Sequence, residues 1–418
     1  MDSRTHYNGD LPNGFGASVS QFLEIQGSTV RAYGFTLAVA RFAGGVRDCN
    51  ILNPVLCMTP AQVQLARHRL WLGITNVGLW VLVSCAGLYW VVFNRVDAPG
   101  APLLLAIGVA AIAAQAGFDL LGGVVLMPVP RASIRTFLPH WLRGALGHTL
   151  ALATVGILSA ISLRVTGGFG VGVAVAMVAL ALGRRHVLRA IAGAATTARA
   201  YDGAAMLTVA VNDPAFTGGI VGFGSRAKIL SPESWLATLP KPELDAEVCR
   251  RQWQIANAMA GRTFVLLLVW SLMGTLSGTY LFDLAQRTPA AALFGHACWM
   301  TLWAFTSLLV LPVLSRRAVF AADRAAAESG HDPRNWIVRF ADLVGEDGNS
   351  NNAVQTIFYP VPSTERRLEH LTRSASGFVP GNLARSFLYY SWATFTPLGR
   401  AVHCNVGRPA LWVYPPSA

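Results

Sequence analysis

The chain has 418 residues, 33 of them basic and 21 acidic; 13% are charged and 53% hydrophobic. A soluble globular chain carries about 25% charged residues, so this composition, with a mean hydropathy of +0.44, excludes a disordered chain and argues against an ordinary soluble enzyme. The net charge of +12 does not call for nucleic acid, because the basic residues are arginines except for Lys228 and Lys241, and they crowd the ends of apolar runs as membrane topology requires.

Residues 1–66 read as a polar N-terminal arm with one apolar patch, Phe35 to Val46. It opens without the basic stretch and apolar core of a cleavable signal peptide. Six cysteines with no CxxC pair do not make a disulfide framework. Cys49 and Cys57 are a possible pair, but the topology below puts them on a reducing side.

Six apolar runs approach the ~20 residues that span a bilayer as helix: roughly 71–93, 102–127, 145–164, 168–183, 263–284 and 291–314. The fourth is short and opens on glycines, so 145–183 also fits a helical hairpin or re-entrant pair. Arginine counts arbitrate. Arg67 and Arg69, then Arg131, Arg135 and Arg143, then Arg184, Arg185 and Arg189, then Arg250, Arg251 and Arg262, then Arg316, Arg317 and Arg324 occupy one side. The other side has only Arg95, Arg164 and Arg287. This alternation needs all six spans and predicts both termini, 184–262 and 315–418 to be cytoplasmic, in a bacterial inner membrane. The expected fold is mainly α: a polytopic membrane protein with a small α+β cytoplasmic domain, partitioned at 1–66, 67–183, 184–262, 263–314 and 315–418.

Within the insert 184–262, "AMLTVAVN" (205–212) reads as a strand, "DPAFTGG" (213–219) as a turn and "GIVGFGSRAKIL" (219–230) as a second strand, a β-hairpin. "SPES" (231–234) looks like a helix start with Ser231 as N-cap and Pro232 at the first helical position. "KPELDAEVCRRQWQIANAMAGR" (241–262) reads as a helix continuing into the fifth span. Gly218, Gly219, Gly222 and Gly224 lack the Lys-Ser/Thr ending of a phosphate loop. "GEDGNSNN" (345–352) reads as an exposed loop, and the aromatic stretch 387–416 as a partner-binding strip, as packing beneath the cytoplasmic domain, or as interfacial side chains.

Taken in order, "AFTGG" (215–219), "LSPESWLATL" (230–239), "ELDAEVCRRQWQIAN" (243–257), "SRRAVFAADRAAAESGHDP" (315–333) and "PSTERRLEHL" (362–371), together with "LMPVPRASIRTFLPHWLRGAL" (126–146), resemble the M48 (Ste24/HtpX-like) membrane zinc metallopeptidases. The similarity covers roughly 67–371. It implies a cleft in which two histidines at i and i+4 hold zinc, the glutamate between them activates water, and a later glutamate completes the ligands. Those positions fall here on Arg250, Gln254, Arg251 and Val319. Pro214 replaces the substrate-strand asparagine and Val361 the later histidine, whereas Asp323 and Arg367 match. Guanidinium has no lone pair to give a metal. The resemblance therefore implies a pseudo-peptidase without zinc or another cofactor, whose cleft residues Phe216, Gly218, Arg250, Arg251, Asp323 and Arg367 are candidates for binding a membrane protein or peptide. The plainer reading of Arg250 and Arg251 is a pair of arginines flanking span five and snorkelling to headgroups.

Two other classes compete. An active enzyme with a relocated site would draw on Asp119, His148, His296 or Cys249; Asp119 is a carboxylate inside span two and either faces a polar chamber or pairs with a histidine on span three. Cys249 lacks a histidine base in the insert, and His331 reads as an exposed turn residue. A transporter or channel would use an intramembrane chamber, but intramembrane charges are few and no inverted repeat is visible.

Overall fold

The computed structural model describes residues 60–93, 101–127, 133–345, 354–355, 358–373 and 378–417. The Phe35–Val46 patch, the Cys49/Cys57 pair and most of the 345–352 loop lie outside these residues. Among the described residues, six helices are long and apolar enough to cross a membrane: α1 (Pro60–Phe93), α2 (Ala101–Leu120), α3 (Ile134–Thr166), α4 (Gly170–Ala192), α7 (Met259–Leu281) and α8 (Pro289–Glu328). The weakly marked fourth run is a full helix, joined to α3 through Gly167. The boundaries expected at 66, 183, 262 and 314 fall inside α1, α4, α7 and α8.

The helices turn large apolar side chains outward and place small and polar residues among the apolar ones inside, the pattern of a bundle whose surroundings are hydrocarbon. On α3, Leu142, Leu146, Leu150, Ile157, Ile161 and Val165 are exposed, while Gly144, His148, Val155, Ser159 and Ser162 are buried. α8 has 40 residues, about 60 Å at 1.5 Å per residue, twice a bilayer's core. Its second half projects beyond the apolar stretch and reaches the polar layer.

That layer is built on a four-stranded sheet in the order β1-β2-β4-β3. The strands are β1 (Thr196–Tyr201), β2 (Ala204–Val209), β3 (Gly219–Val221) and β4 (Lys228–Pro232). The hairpin expected between 205–212 and 219–230 does not form: β2 pairs parallel with β4, and β3 is the strand beyond β4. β1 and β2 pair antiparallel across Asp202–Gly203, both at positive φ (45° and 77°), which is the two-residue turn that the right-handed strand twist favours. "GIVGFGSRAKIL" is itself the β3–β4 antiparallel pair. Ser231 and Pro232 are not a helix start; they belong to β4, whose parallel register sets Ser231 against Thr208, and the short helix α5 (Trp235–Thr238) follows. α6 (Lys241–Ala256) does not continue into the fifth span either. Ala258, at φ 52°, breaks the chain in a left-handed conformation that is unfavourable for alanine, and α7 starts at a new angle.

Helices α9 (Arg334–Val344) and α10 (Thr364–His370) complete the layer. The last segment does not. Its helices α11 (Leu383–Tyr390), α12 (Leu398–Ala401) and α13 (Pro409–Val413) are packed among the spans. Asn76 on α1 donates to Ala401 O, the Tyr389 hydroxyl donates to Leu180 O on α4, and Arg184 on α4 donates to Val413 O. Tyr389, Trp392, Trp412 and Tyr414 are buried, so most of the aromatic stretch is bundle core.

Candidate functional site

Helix α6 buries one face: Glu243, Glu247, Arg250, Arg251 and Gln254 recur every three or four residues, the spacing that brings side chains together on a helix. Glu247 accepts from both arginines, from Arg250 Nη1 and from Arg251 Nε at 2.7 Å. On the facing helix α8, Asp323 Oδ1 lies 2.7 Å from Arg250 Nε. Arg367 on α10 donates to both Asp323 oxygens at 2.8 Å, the bidentate geometry that guanidinium suits best. Arg250 is 0% exposed, Asp323 1% and Arg367 2%. Snorkelling is therefore excluded for Arg250 and Arg251: they are buried and ion-paired. Burial by itself would weaken Arg250's hold on its proton, but the Asp323 and Glu247 carboxylates outweigh it and raise its pKa. For Arg251 burial prevails, reinforced by the Arg250 charge, and the pKa falls.

Of the six cleft candidates, Arg250, Asp323 and Arg367 are the buried clamp that joins α6, α8 and α10. Phe216 is fully buried in the main core. Only Gly218 and Arg251 line a cavity, of about 70 Å³, together with Gln254 and Val319. Val319 otherwise packs with Trp235, Trp336, Phe340 and Val361. The residues at the zinc positions do not fit the metal: two guanidiniums, an amide and a valine offer no set of ligands. Among the described residues no group of three or more His, Cys, Asp or Glu is placed to hold a metal ion.

The end of the chain reaches this cavity. Arg251 Nη2 donates to Ser417 O at 2.7 Å, and Ser417 N donates to Thr217 Oγ1 at 2.9 Å. Arg184 lies over the Tyr414 ring, 3.9 Å from its centroid.

The intramembrane candidates are not brought together. Asp119 neither faces a chamber nor pairs with a histidine on span three. It is 0% exposed and accepts from Trp141 Nε1 at 2.8 Å, Gln115 Nε2 at 3.2 Å, Gly407 N at 2.9 Å and Arg400 Nε at 3.0 Å. Arg400 Nη2 donates to it as well, so five N–H groups from four residues occupy the carboxylate. His148 packs edge-on against Trp392, 4.6 Å between centroids, and His296 stacks on Phe169 at 4.3 Å. Cys249 is a partly buried free thiol, with no histidine bonded to it among the described residues. No acid–base pair of a relocated active site results.

The sequence reading missed Glu247, although it stands three and four residues before Arg250 and Arg251, a legible i,i+3/i+4 signal. It also missed Arg184, Arg400 and Ser417, whose partners are remote in sequence. No protein-family model matches the chain, and no curated protein matches it.

Proposed function

We propose that this is a non-catalytic multi-pass membrane protein built on the M48 (Ste24/HtpX-like) plan, whose former catalytic cleft is a binding surface or scaffold for a membrane-associated protein or peptide. The observation that carries the reading is the ionic clamp. At the positions where such a peptidase holds zinc and its water, Arg250 and Arg251 are buried against Glu247 and Asp323. A clamp of this kind replaces a metal as the link between α6 and α8 and leaves nothing to activate water. The bidentate Asp323–Arg367 pair adds support, because it joins two positions, 44 residues apart, that match the family pattern independently. The arginine alternation supports a cytoplasmic position for the polar layer.

The test uses protein purified in mild detergent. Elemental analysis should find no stoichiometric zinc, and prenylated or membrane peptides should remain uncut with zinc added; one bound zinc per chain, or zinc-dependent cleavage, overturns the proposal. Cross-linking in native membranes should capture one defined partner with the wild type and lose it with Arg251→Gln. Equal capture by both would remove the cleft from the binding role.

A further inference from the structure

We infer that the cavity beside Arg251 binds the phosphate head of an anionic lipid, with one acyl chain lying in an apolar groove between α7 and α8. The inference deepens the proposed binding role and rests on it only in treating the cleft as a binding surface.

The first observation is charge. Arg184, Arg251 and Arg385 line the cavity, and no carboxylate among the described residues does. Behind Arg251, the three guanidiniums of Arg250, Arg251 and Arg367 share two carboxylates, Glu247 and Asp323. Arg184 has two aromatic faces and one backbone carbonyl as neighbours, and no acid among the described residues pairs with it. Three guanidiniums sharing two buried carboxylates leave a positive excess beside the cavity, which favours an anion. Guanidinium forks match phosphate oxygens in pairs. Tyr414 also lines the cavity, is 1% exposed, and its hydroxyl has no hydrogen-bond partner among the described residues. A buried donor of this kind is normally satisfied, and a phosphate oxygen would satisfy it.

The second observation is size and continuity. The cavity measures about 70 Å³, room for a small oxyanion. Along α7 the cavity is lined by Met259 and Thr263, and one turn further on Leu266 and Trp270 line an apolar groove of about 210 Å³. Steps of four, three and four residues keep these side chains on one helix face. On α8, which runs the opposite way, Leu311 and Leu314 line the groove and Ala318 the cavity. Both helices therefore put the cationic end at the margin of the apolar stretch and the groove deeper within it, the order of head and tail in one leaflet. Phe378, 61% exposed, forms the groove's lip.

The probe is phosphatidic acid, doped into phosphatidylcholine nanodiscs that hold the full chain, with bound lipid counted by native mass spectrometry. The wild type should retain one phosphatidic acid. Arg184→Gln should weaken retention by on the order of tenfold or more through loss of a charge-assisted fork. Leu314→Trp, at a partly exposed groove position outside the ion network, should also release the lipid while keeping the fold, and should leave inorganic phosphate binding unchanged. Retention unaffected by either variant overturns the inference. So does inorganic phosphate binding as tightly as phosphatidic acid with no effect of Leu314→Trp, which would show a site for a free ion. Zinc content and peptide cleavage do not enter this measurement, so its failure stays separate from failure of the functional proposal.

Discussion

Asp119 and Asp323 are both buried to within 1% of exposure and both face arginine, yet their surroundings are balanced differently. Asp119, in the helical bundle, is matched by Arg400, and its remaining lone pairs take protons from Trp141, Gln115 and the Gly407 backbone. Arg400 lies 4.1 Å from the centroid of Trp412. Nearby Arg69 donates hydrogen bonds to the carbonyls of Gly122, Leu126 and His403, the first two in and just after the π-helical turn Leu121–Val125 that ends α2, where the helix dipole favours a cation. Asp119 and Arg400 neutralise each other, and Arg69 has carbonyl dipoles in place of an acid. Asp323, in the polar layer, is shared by Arg250 and Arg367, and Arg251 and Arg184 add further cations at the adjoining cavity. A closed network fixes the bundle, whereas an open one retains capacity for a ligand.

The comparison breaks most visibly at Asp119. Replacing it by alanine leaves Arg400 buried without a counter-charge, and breaking a buried pair in this way costs about 3–5 kcal/mol. Asp119→Ala should therefore unfold the protein in detergent at a much lower temperature, read by the fluorescence of the surrounding tryptophans. The double variant Asp119→Leu/Arg400→Met should recover most of the loss, because apolar replacement of both partners removes the desolvation cost as well. If the double variant is as unstable as the single one, the pair is not what holds the last segment in place.

Asp323→Ala should follow, at about 3 kcal/mol, since it strands Arg367 and leaves Arg250 with Glu247 alone. Its effect should appear first in the polar layer. Proteolysis at the β1–β2 turn and at α9 should accelerate before the bundle's thermal transition moves. A single shared transition would argue that layer and bundle unfold as one unit.

Gly407→Ala comes next. Gly407 sits at φ +71°, and a Cβ there would approach the Asp119 carbonyl oxygen to 2.2 Å and Gly123 N to 2.4 Å. The substitution both strains the backbone and pushes the Gly407 N–H away from Asp119, for a loss of about 2–3 kcal/mol. Thermal unfolding of Gly407→Ala beside Gly224→Ala separates the two causes, because Gly224 also has positive φ but open space around it.

The spans were legible because crossing a bilayer is a property of one segment: twenty apolar residues suffice, whatever they pack against. The Asp202–Gly203 turn was legible in principle, since the dipeptide stands between two β-prone runs; its first strand, "TTARAY", was missed because four of its six residues are exposed and give no alternation. Ser231–Pro232 misled for the opposite reason. The local capping rule is sound, but parallel pairing with β2 overrides it. What the sequence conceals is pairing at long range. Asp119 and Arg400 are 281 residues apart, and nothing along the chain distinguishes Arg400 from an arginine in a polar tail. The positions of the two Arg250–Arg251 guanidiniums were readable; that they are buried was not, because it depends on Glu247 and Asp323 closing over them from two helices.

The smallest effect should come from Arg251→Gln, and it separates the two networks most sharply. In a balanced network the loss of any arginine strands a carboxylate. Here Glu247 keeps Arg250, and the like charge of Arg250, which lowers the Arg251 pKa, disappears with the substitution. Glutamine retains a donor for Ser417 O and gives up the bond to Glu247 Oε1. The net change should be about 1 kcal/mol or less, read as a shift of a few degrees in the thermal midpoint at most. Arg400→Gln, the equivalent change in the closed network, should cost several times as much because Asp119 has no second guanidinium. If the two substitutions cost the same, the cluster around Asp323 carries no surplus of positive charge, and the cavity beside it loses its reason to hold an anion.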